Sequence, residues 1–439
     1  MKRVLVLGAG LVSKPLVRYL LEQPDLNLHV ASRTVSKAEA LVDGHPRGST
    51  SQLDVNNKNG LAAKIKGSDA VVSLLPNTYH VEVARICLDS NAHLITTSYL
   101  SPEMRALDSH ARDRRLLFLN EIGLDPGIDH MSAMQIIDTV KREGGSVSAF
   151  ESCCGGLPAP EANDNPFGYK FSWSPRGVLL AGRNSARYLK EGKEIVIPGD
   201  RLFHHFWQKP VPGLGELEVY PNRESLLYSE LYGLEGAGTL FRGTFRNPGW
   251  CETLACLAAL GYLDDSPRPE WSGRSYAEIT AALVNGGKGD GLREHVASFL
   301  DRRSDDAVLD RLMWLGLLSH DAASADPFTC LDALAQLMVR KMSFANGERD
   351  MIVLQHDFSI RRDDGSTGRI CATMIDYGKP DGDSAMARTV SLPAAVAVRL
   401  LLQDQISLRG VRIPVDAELY RPVLSELANL GIELRETRS

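Results

Sequence analysis

The feature that most constrains this chain is a short apolar run closed by glycines. Val4-Leu5-Val6-Leu7 leads directly into Gly8-Ala9-Gly10, and helical periodicity follows from about Leu11 to Glu22. A strand that turns on glycine into a helix is the context in which a Gly-x-Gly loop cradles a dinucleotide. Gly8 permits the tight turn, and Gly10 leaves room for a pyrophosphate against the helix N-terminus. The third glycine of the usual pattern is Ser13 here, still small enough for the helix–strand contact. The plainer alternative is a turn that keeps its glycines and has lost its ligand.

The second strand says which dinucleotide is expected. It ends Val30-Ala31-Ser32-Arg33-Thr34, where an NAD site would carry an acid for the ribose hydroxyls. Ser32 is neutral, Arg33 is a bidentate phosphate donor, and Lys37 follows one helical turn later. The pattern predicts NADP, the alternative being a surface cation stacked on adenine. Apolar runs at Ala70–Leu75, His93–Thr97 and Leu116–Phe118 alternate with helical stretches. The first third therefore reads as α/β, a Rossmann doubly wound parallel sheet with ligands at the strand carboxyl ends. Strand ends place Asp54-Val55 near the adenine, Leu75 after the third run and Thr97-Ser98 after the next. Core packing accounts for Leu75 equally well.

At 439 residues, two or three domains are expected. The net charge is -6, with cations scattered among acids, which argues against a nucleic-acid partner. No run approaches the ~18 apolar residues of a membrane helix, and the N-terminal run is too short for a signal peptide. Seven cysteines without framework spacing read as reduced thiols in a cytoplasmic protein. With neither CxxC nor an HxxxH pair beside an acid, no metal is expected.

The pattern changes after about Asp129. A helix to Arg142 stops at Gly144-Gly145, and Val147–Cys153 reads as a strand. Gly155–Pro175 is rich in Gly, Pro and Asn, and so long a loop is usually functional. About Thr253 to Ser343 is helical and carries no clustered chemistry. Met351–Ile360 and Arg369–Asp376 flank Asp363-Asp364-Gly365 as a hairpin. An apolar helix from Ser391 to Leu402 is expected to pack back on the first sheet. The expected organisation is 1–128 plus about 390–439 for the dinucleotide domain, with 129–252 plus about 344–389 as a second α/β domain. Residues 253–343 form a helical insertion.

Three strings carry a family likeness. They are Asn120-Glu121-Ile122-Gly123-Leu124-Asp125-Pro126-Gly127-Ile128-Asp129-His130, Cys154-Gly155-Gly156-Leu157-Pro158-Ala159-Pro160-Glu161, and the run from Asn165 to Ser174. The chain resembles the saccharopine reductases, the NADP-dependent, L-glutamate-forming saccharopine dehydrogenases, from its first strand to at least Arg246. The resemblance implies condensation of 2-aminoadipate 6-semialdehyde with glutamate and reduction of the imine by NADPH to saccharopine, or the reverse, in lysine synthesis or breakdown. It implies cofactor contacts at Gly10, Leu11 and Val12, at Ser32, Arg33 and Thr34, and at Asp54, Val55 and Leu75. Further cofactor contacts are implied at Thr97 and Ser98, at Leu124, Asp125 and Pro126, and at Ser174. The implied substrate contacts are Ser98, Tyr99, Asp125, Arg223, Thr244, Phe245 and Arg246. A family-like second domain also raises a homodimer as an expectation.

The residue chemistry agrees. Saccharopine carries three carboxylates, and Arg223 and Arg246 suit bidentate carboxylate binding, the alternative being two surface arginines in loops. Asp125, in a Pro/Gly turn, either pairs with the substrate ammonium or caps the next helix. Tyr99, Cys154 and Asp125 are the catalytic candidates for proton transfer, against a packing ring, a buried thiol and a cap. His130 reads as capping or packing. Tyr169, Lys170 and Trp173 are expected to cover the site as a lid. Two rival readings stand: a carboxy(nor)spermidine dehydrogenase-like enzyme coupling aspartate semialdehyde to a diamine, and a non-catalytic NADP-binding sensor.

Overall fold

The computed structural model describes residues 1–286, 291–324 and 328–439. The chain divides into two compact units. One comprises Met1–Ser146, Arg361–Thr367 and Gly382–Arg435, and the other Val147–Ile360, Gly368–Asp381 and Glu436–Ser439.

The first unit is built on a parallel sheet. Its strands are β1 (Lys2–Leu7), β2 (Leu26–Ser32), β3 (Gly48–Gln52), β4 (Ala70–Ser73), β5 (His93–Thr96) and β6 (Leu117–Leu119), joined by Gly410–Arg412. The order is 410–412, β6, β5, β4, β1, β2, β3, the doubly wound arrangement whose chain direction switches between β1 and β4. The Val4–Leu7 side chains are fully buried, as expected of a central parallel strand covered on both faces. β3 reads Gly-Ser-Thr-Ser-Gln with no apolar residue, so a search for apolar runs passes over it. It is held by backbone pairing to β2 at the sheet edge. Leu7 pairs with Ala31 and with Ser73, and Ser73 with Thr96. That register delivers Gly8, Ser32, Leu74 and Thr97 to one edge of the sheet.

The helix Ala385–Leu402 begins six residues before the apolar stretch, because Ser384 caps it by accepting from the Ala387 N–H. It packs on the helix Ser13–Glu22 and against β4 and β5. Its length and hydropathy would suit a membrane span, yet 89% of the helix is buried inside the protein. The helix Ile128–Arg142 lies beside Ala417–Asn429, with the Tyr420 hydroxyl donating to Asp138 Oδ2 at 2.5 Å. The pattern change read near Asp129 thus precedes the boundary of the compact unit, which follows Ser146.

The second unit holds a mixed sheet. Its strands are β7 (Ser146–Pro158), β8 (Ala186–Lys190), β9 (Lys193–Ile197), β10 (Trp207–Val211), β11 (Gly215–Pro221), β12 (Thr239–Arg246), β13 (Asp350–Arg361) and β14 (Thr367–Tyr377), with Arg435–Arg438 at one edge. The order is β10, β11, β12, β7, β13, β14, 435–438, and the β8–β9 hairpin joins at β12. The expected hairpin turn at 363–365 connects β13 and β14. Helices Trp250–Ala259, Tyr276–Leu283, Leu292–Phe299, Ala307–Leu315 and Cys330–Lys341 share one apolar core with this sheet, Phe245 and Val219 packing in the same cluster as Leu309 and Leu334. Residues 287–290 and 325–327 of the expected helical stretch lie outside the described residues.

The segment read as a loop from Gly155 behaves differently. β7 continues to Pro158, and Gly155 is required there because a Cβ would stand 2.6 Å from the Phe245 carbonyl oxygen. The stretch beyond β7 is pinned by side chains. Asn165 Nδ2 donates to the Tyr169 carbonyl at 2.9 Å, and Lys170 Nζ pairs with Glu348 at 2.7 Å and Asp164 at 2.9 Å. Tyr169 and Lys170, expected in a lid, are therefore buried parts of this unit, and Trp173 packs partly buried against the same core.

Candidate functional site

The glycine loop is closed by its departure from the usual pattern. Gly8 sits at φ +111°, a conformation that favours glycine. The Ser13 hydroxyl donates to the Gly8 carbonyl at 3.3 Å and accepts from the Gly10 N–H at 3.0 Å. Ser13 thus stitches the turn with hydrogen bonds where a glycine would only allow close approach. Around Gly10 a Cβ would meet nothing within 4 Å, so the space the sequence reserves for a pyrophosphate is open. Leu11 is exposed, and the first turn of the helix behind the loop holds no acidic residue.

At the end of β2 the Arg33 and Lys37 side chains are exposed. The Arg33 carbonyl accepts from Gln52 Nε2 at 3.2 Å, and Ser32 Oγ accepts from the Thr34 N–H at 3.3 Å. These bonds fix the backbone and leave the guanidinium for an anion. Asp54 folds its Oδ1 onto the Asn56 N–H at 3.0 Å, an Asx-type turn, with Val55 half-buried beside it. Leu75 packs partly buried against the sheet's core cluster, the plainer of its two readings.

The next strand ends carry a hydroxyl network around a histidine. His80 Nδ1 lies 3.0 Å from Ser73 Oγ, and its Nε2 lies 2.9 Å from Ser98 Oγ and 3.0 Å from Thr96 Oγ1. Burial pushes His80 down to about 4, so the ring is neutral at physiological pH, with one nitrogen donating and the other accepting. Beyond it, the Tyr99 hydroxyl donates to Asp125 Oδ1 at 3.3 Å. Asp125 precedes a cis peptide bond to Pro126, and Leu124 is buried. Asp129 closes the turn before the next helix, its Oδ1 accepting from the Gly127 N–H at 2.5 Å. Glu121 holds a left-handed backbone (φ +58°). Its Oε1 accepts from the Leu100 N–H at 2.8 Å, and its Oε2 lies 2.8 Å from Nε2 of the fully buried His130.

Tyr99 and Asp125, both candidates for proton transfer in the sequence, stand together in the structure. Ser13's bonds, His80 and the Glu121–His130 pair carry no local sequence motif. The usable signal for His80 was the set of hydroxyl residues Ser73, Thr96 and Ser98 at aligned strand ends.

In the second unit Cys154, Thr244 and Tyr220 form a row across three adjacent strands, Cys154 pairing with Thr244 and Thr244 with Tyr220. Cys154 is buried and Thr244 half-buried. Phe245 is fully buried in the core, which leaves only its backbone for a ligand. The Arg246 guanidinium stands over three rings, at 5.0 Å from Tyr169, 5.4 Å from Trp250 and 5.9 Å from Tyr220. Its Nη1 donates to the Phe245 carbonyl at 2.7 Å, and its buried Nε has no hydrogen-bond partner among the described residues. Far from a surface arginine, it is a cation held in an aromatic cage. Arg223 does fit an exposed loop position, at φ +56°, with its carbonyl accepting from the Arg187 N–H at 2.8 Å. Ser174 Oγ caps the helix Pro175–Ala181 by accepting from the Gly177 N–H at 3.2 Å. Among the described residues, no three His, Cys, Asp or Glu side chains gather as metal ligands.

Known proteins resemble this chain along its whole length. Residues 4–119 match the saccharopine dehydrogenase NADP binding domain, and residues 123–432 match the saccharopine dehydrogenase C-terminal domain. The chain is 39% identical over 446 residues to saccharopine dehydrogenase (NADP+, L-glutamate-forming) of Saccharomyces cerevisiae, and 38% over 450 residues to that of Schizosaccharomyces pombe, with 99% of both chains covered in each case. Against the mitochondrial alpha-aminoadipic semialdehyde synthase of Bos taurus it is 38% identical, spanning 98% of this chain and 47% of that one. The solved structure of apo histidine-tagged saccharopine dehydrogenase (L-Glu forming) from Saccharomyces cerevisiae superposes with a TM-score of 0.91 at 37% identity, covering 100% of both chains.

Proposed function

We infer the activity of this chain from its ancestry: it belongs to the saccharopine dehydrogenase family. It is an NADP-dependent oxidoreductase acting on CH–NH donors. Its reaction joins 2-aminoadipate 6-semialdehyde to L-glutamate with reduction to saccharopine, or runs in reverse, within lysine metabolism. The observation that carries this reading is that identity extends from end to end across both units, rather than being confined to the glycine loop.

The residues present fit the cofactor. The open space at Gly10 and the unshielded helix behind it suit a pyrophosphate, and Arg33 with Lys37 suits a 2′-phosphate. When bound, NADPH supplies the hydride that reduces the imine carbon. The protein's share is positioning, charge and protons. We assign Asp125 to the substrate's ammonium group, with the Tyr99–Asp125 hydrogen bond as the place where a proton is held. Arg246 is assigned to a carboxylate. Its stacked guanidinium is already oriented, so little side-chain freedom is lost on binding. Arg223, exposed on its loop, is assigned to a second carboxylate.

The test is a steady-state assay of saccharopine with NADP+ and with NAD+, and of each aldehyde–amine pair with NADPH. Saccharopine oxidation with NADP+ is expected. Turnover only of an aspartate semialdehyde–diamine pair would replace the substrate assignment, and tight NADPH binding without turnover would favour the sensor reading. Arg246→Ala should raise the saccharopine KM by roughly one to two orders of magnitude, the cost of an unpaired carboxylate. An unchanged KM removes Arg246 from the substrate set.

A further inference from the structure

The buried Glu121 plays no part in the chemistry described above, yet its backbone and carboxylate between them touch the residues on either side of Tyr99. Its backbone N–H donates to the Ser98 carbonyl at 3.1 Å, and its Oε1 accepts from the Leu100 N–H at 2.8 Å. Its other oxygen is anchored 2.8 Å from His130 Nε2, in the first turn of the helix Ile128–Arg142. Glu121 and His130 are 8% and 0% exposed. An apolar side chain would fill this position with no desolvation cost, and a buried polar pair is weak evidence for stability as such. The left-handed backbone at Glu121 is likewise unfavourable for a residue with a Cβ, and such outliers persist where the surroundings over-determine them. What this arrangement secures is geometry. The 120–130 segment grips the Tyr99 loop by its backbone through Glu121, and meets the Tyr99 hydroxyl through Asp125.

We propose that Glu121, anchored by His130, is a positioning residue that sets the Ser98–Leu100 loop and thereby the place of the Tyr99 hydroxyl against Asp125. The proposal rests on the assignment of Ser98 and Tyr99 as substrate contacts. Glu121→Asp keeps the charge but withdraws the carboxylate by roughly 1.5 Å, too far to serve both Leu100 and His130. Glu121→Gln keeps the reach, its amide oxygen accepting from Leu100 and its amide nitrogen facing His130 Nε2.

The experiment compares saccharopine KM and kcat, and NADPH Kd, for Glu121→Asp, Glu121→Gln, Ser98→Ala, Tyr99→Phe and the Glu121→Asp/Tyr99→Phe pair. Expected are a KM raised about tenfold in Glu121→Asp, a value within about threefold of wild type in Glu121→Gln, and an unchanged NADPH Kd. The double variant should be no worse than its weaker parent, because both changes act on one hydroxyl. Should Glu121→Asp not fold, His130→Asn takes its place in the cycle, since it removes the anchor and leaves the Leu100 bond. Additive effects of Glu121→Asp and Tyr99→Phe, or a wild-type KM in folded Glu121→Asp, overturn the positioning role while the loop's substrate contacts stand. Wild-type KM in both Ser98→Ala and Tyr99→Phe overturns the loop assignment, and the proposal with it.

Discussion

Arg33 leaves the carboxyl end of β2 exposed beside the neutral Ser32, where a carboxylate would repel a 2′-phosphate. Arg33→Asp replaces a charge-assisted bond of about 1.5–3 kcal/mol with repulsion. The NADPH Kd should rise at least tenfold, with little change for NADH, as read by fluorescence titration. An unchanged NADPH affinity would contradict the role. His80 makes a second prediction at this scale, in pH. Its ordinary value is 6.5 and burial takes it down to about 4 in the folded chain. Between those values the unfolded chain binds a proton that the folded chain refuses, so stability falls as pH drops from 6.5 towards 4. One such group contributes at most about 3 kcal/mol across that window. Urea midpoints measured from pH 7 to pH 4 should therefore decline less steeply for His80→Gln than for wild type. Identical slopes would place the titration elsewhere. Arg33 was legible because its meaning lies in its immediate neighbours. His80 was not, because its partners sit 7, 16 and 18 residues away.

The glycine loop separates folding from binding within a single turn. Gly8 has a positive φ, and an added Cβ would stand 3.2 Å from the Leu74 carbonyl oxygen. Gly8→Ala should therefore destabilise the protein by about 1–2 kcal/mol. Gly10 lies outside the positive-φ region that favours glycine and has open space around it. Gly10→Ala should melt like wild type yet lose about tenfold or more in NADPH affinity, because the methyl group takes room reserved for the pyrophosphate. A thermal melt and a titration on each variant check the contrast, and equal binding by Gly10→Ala and wild type would move the cofactor off this loop. Among the elements, central strands announced themselves as apolar runs, and the helices of the second unit as periodic ones. β3 did not, since a polar edge strand is specified by its neighbour's backbone. The end of β7 was hidden as well, because Gly155-Gly156 reads as a breaker along the chain. Across the sheet Gly155 is the residue that lets Phe245 approach.

The first unit takes its residues from three separated segments of the chain. The strand 410–412 completes the sheet beside β6, and Leu392, Val396, Val398, Leu400 and Leu401 of the returning helix are all buried. At about 1.5–3 kcal/mol for each large apolar side chain, losing that helix removes an amount comparable with the whole ~5–15 kcal/mol that holds a typical domain together. Fragment 1–146 should therefore show no cooperative unfolding transition by circular dichroism. Joining 382–435 to it through a flexible linker should restore one, and a cooperative melt of 1–146 alone would refute the dependence. By itself the sequence determined the fold class, the cofactor and the family, because a glycine after a strand, a cation after a neutral strand end and long family strings are all written in adjacent residues. Only the tertiary structure decided that Arg246 is caged by Tyr169 and Tyr220, that Ser98 meets His80, and that Glu121 grips the loop around Tyr99. Those arrangements depend on burial and on the approach of distant segments, which local spacing does not encode.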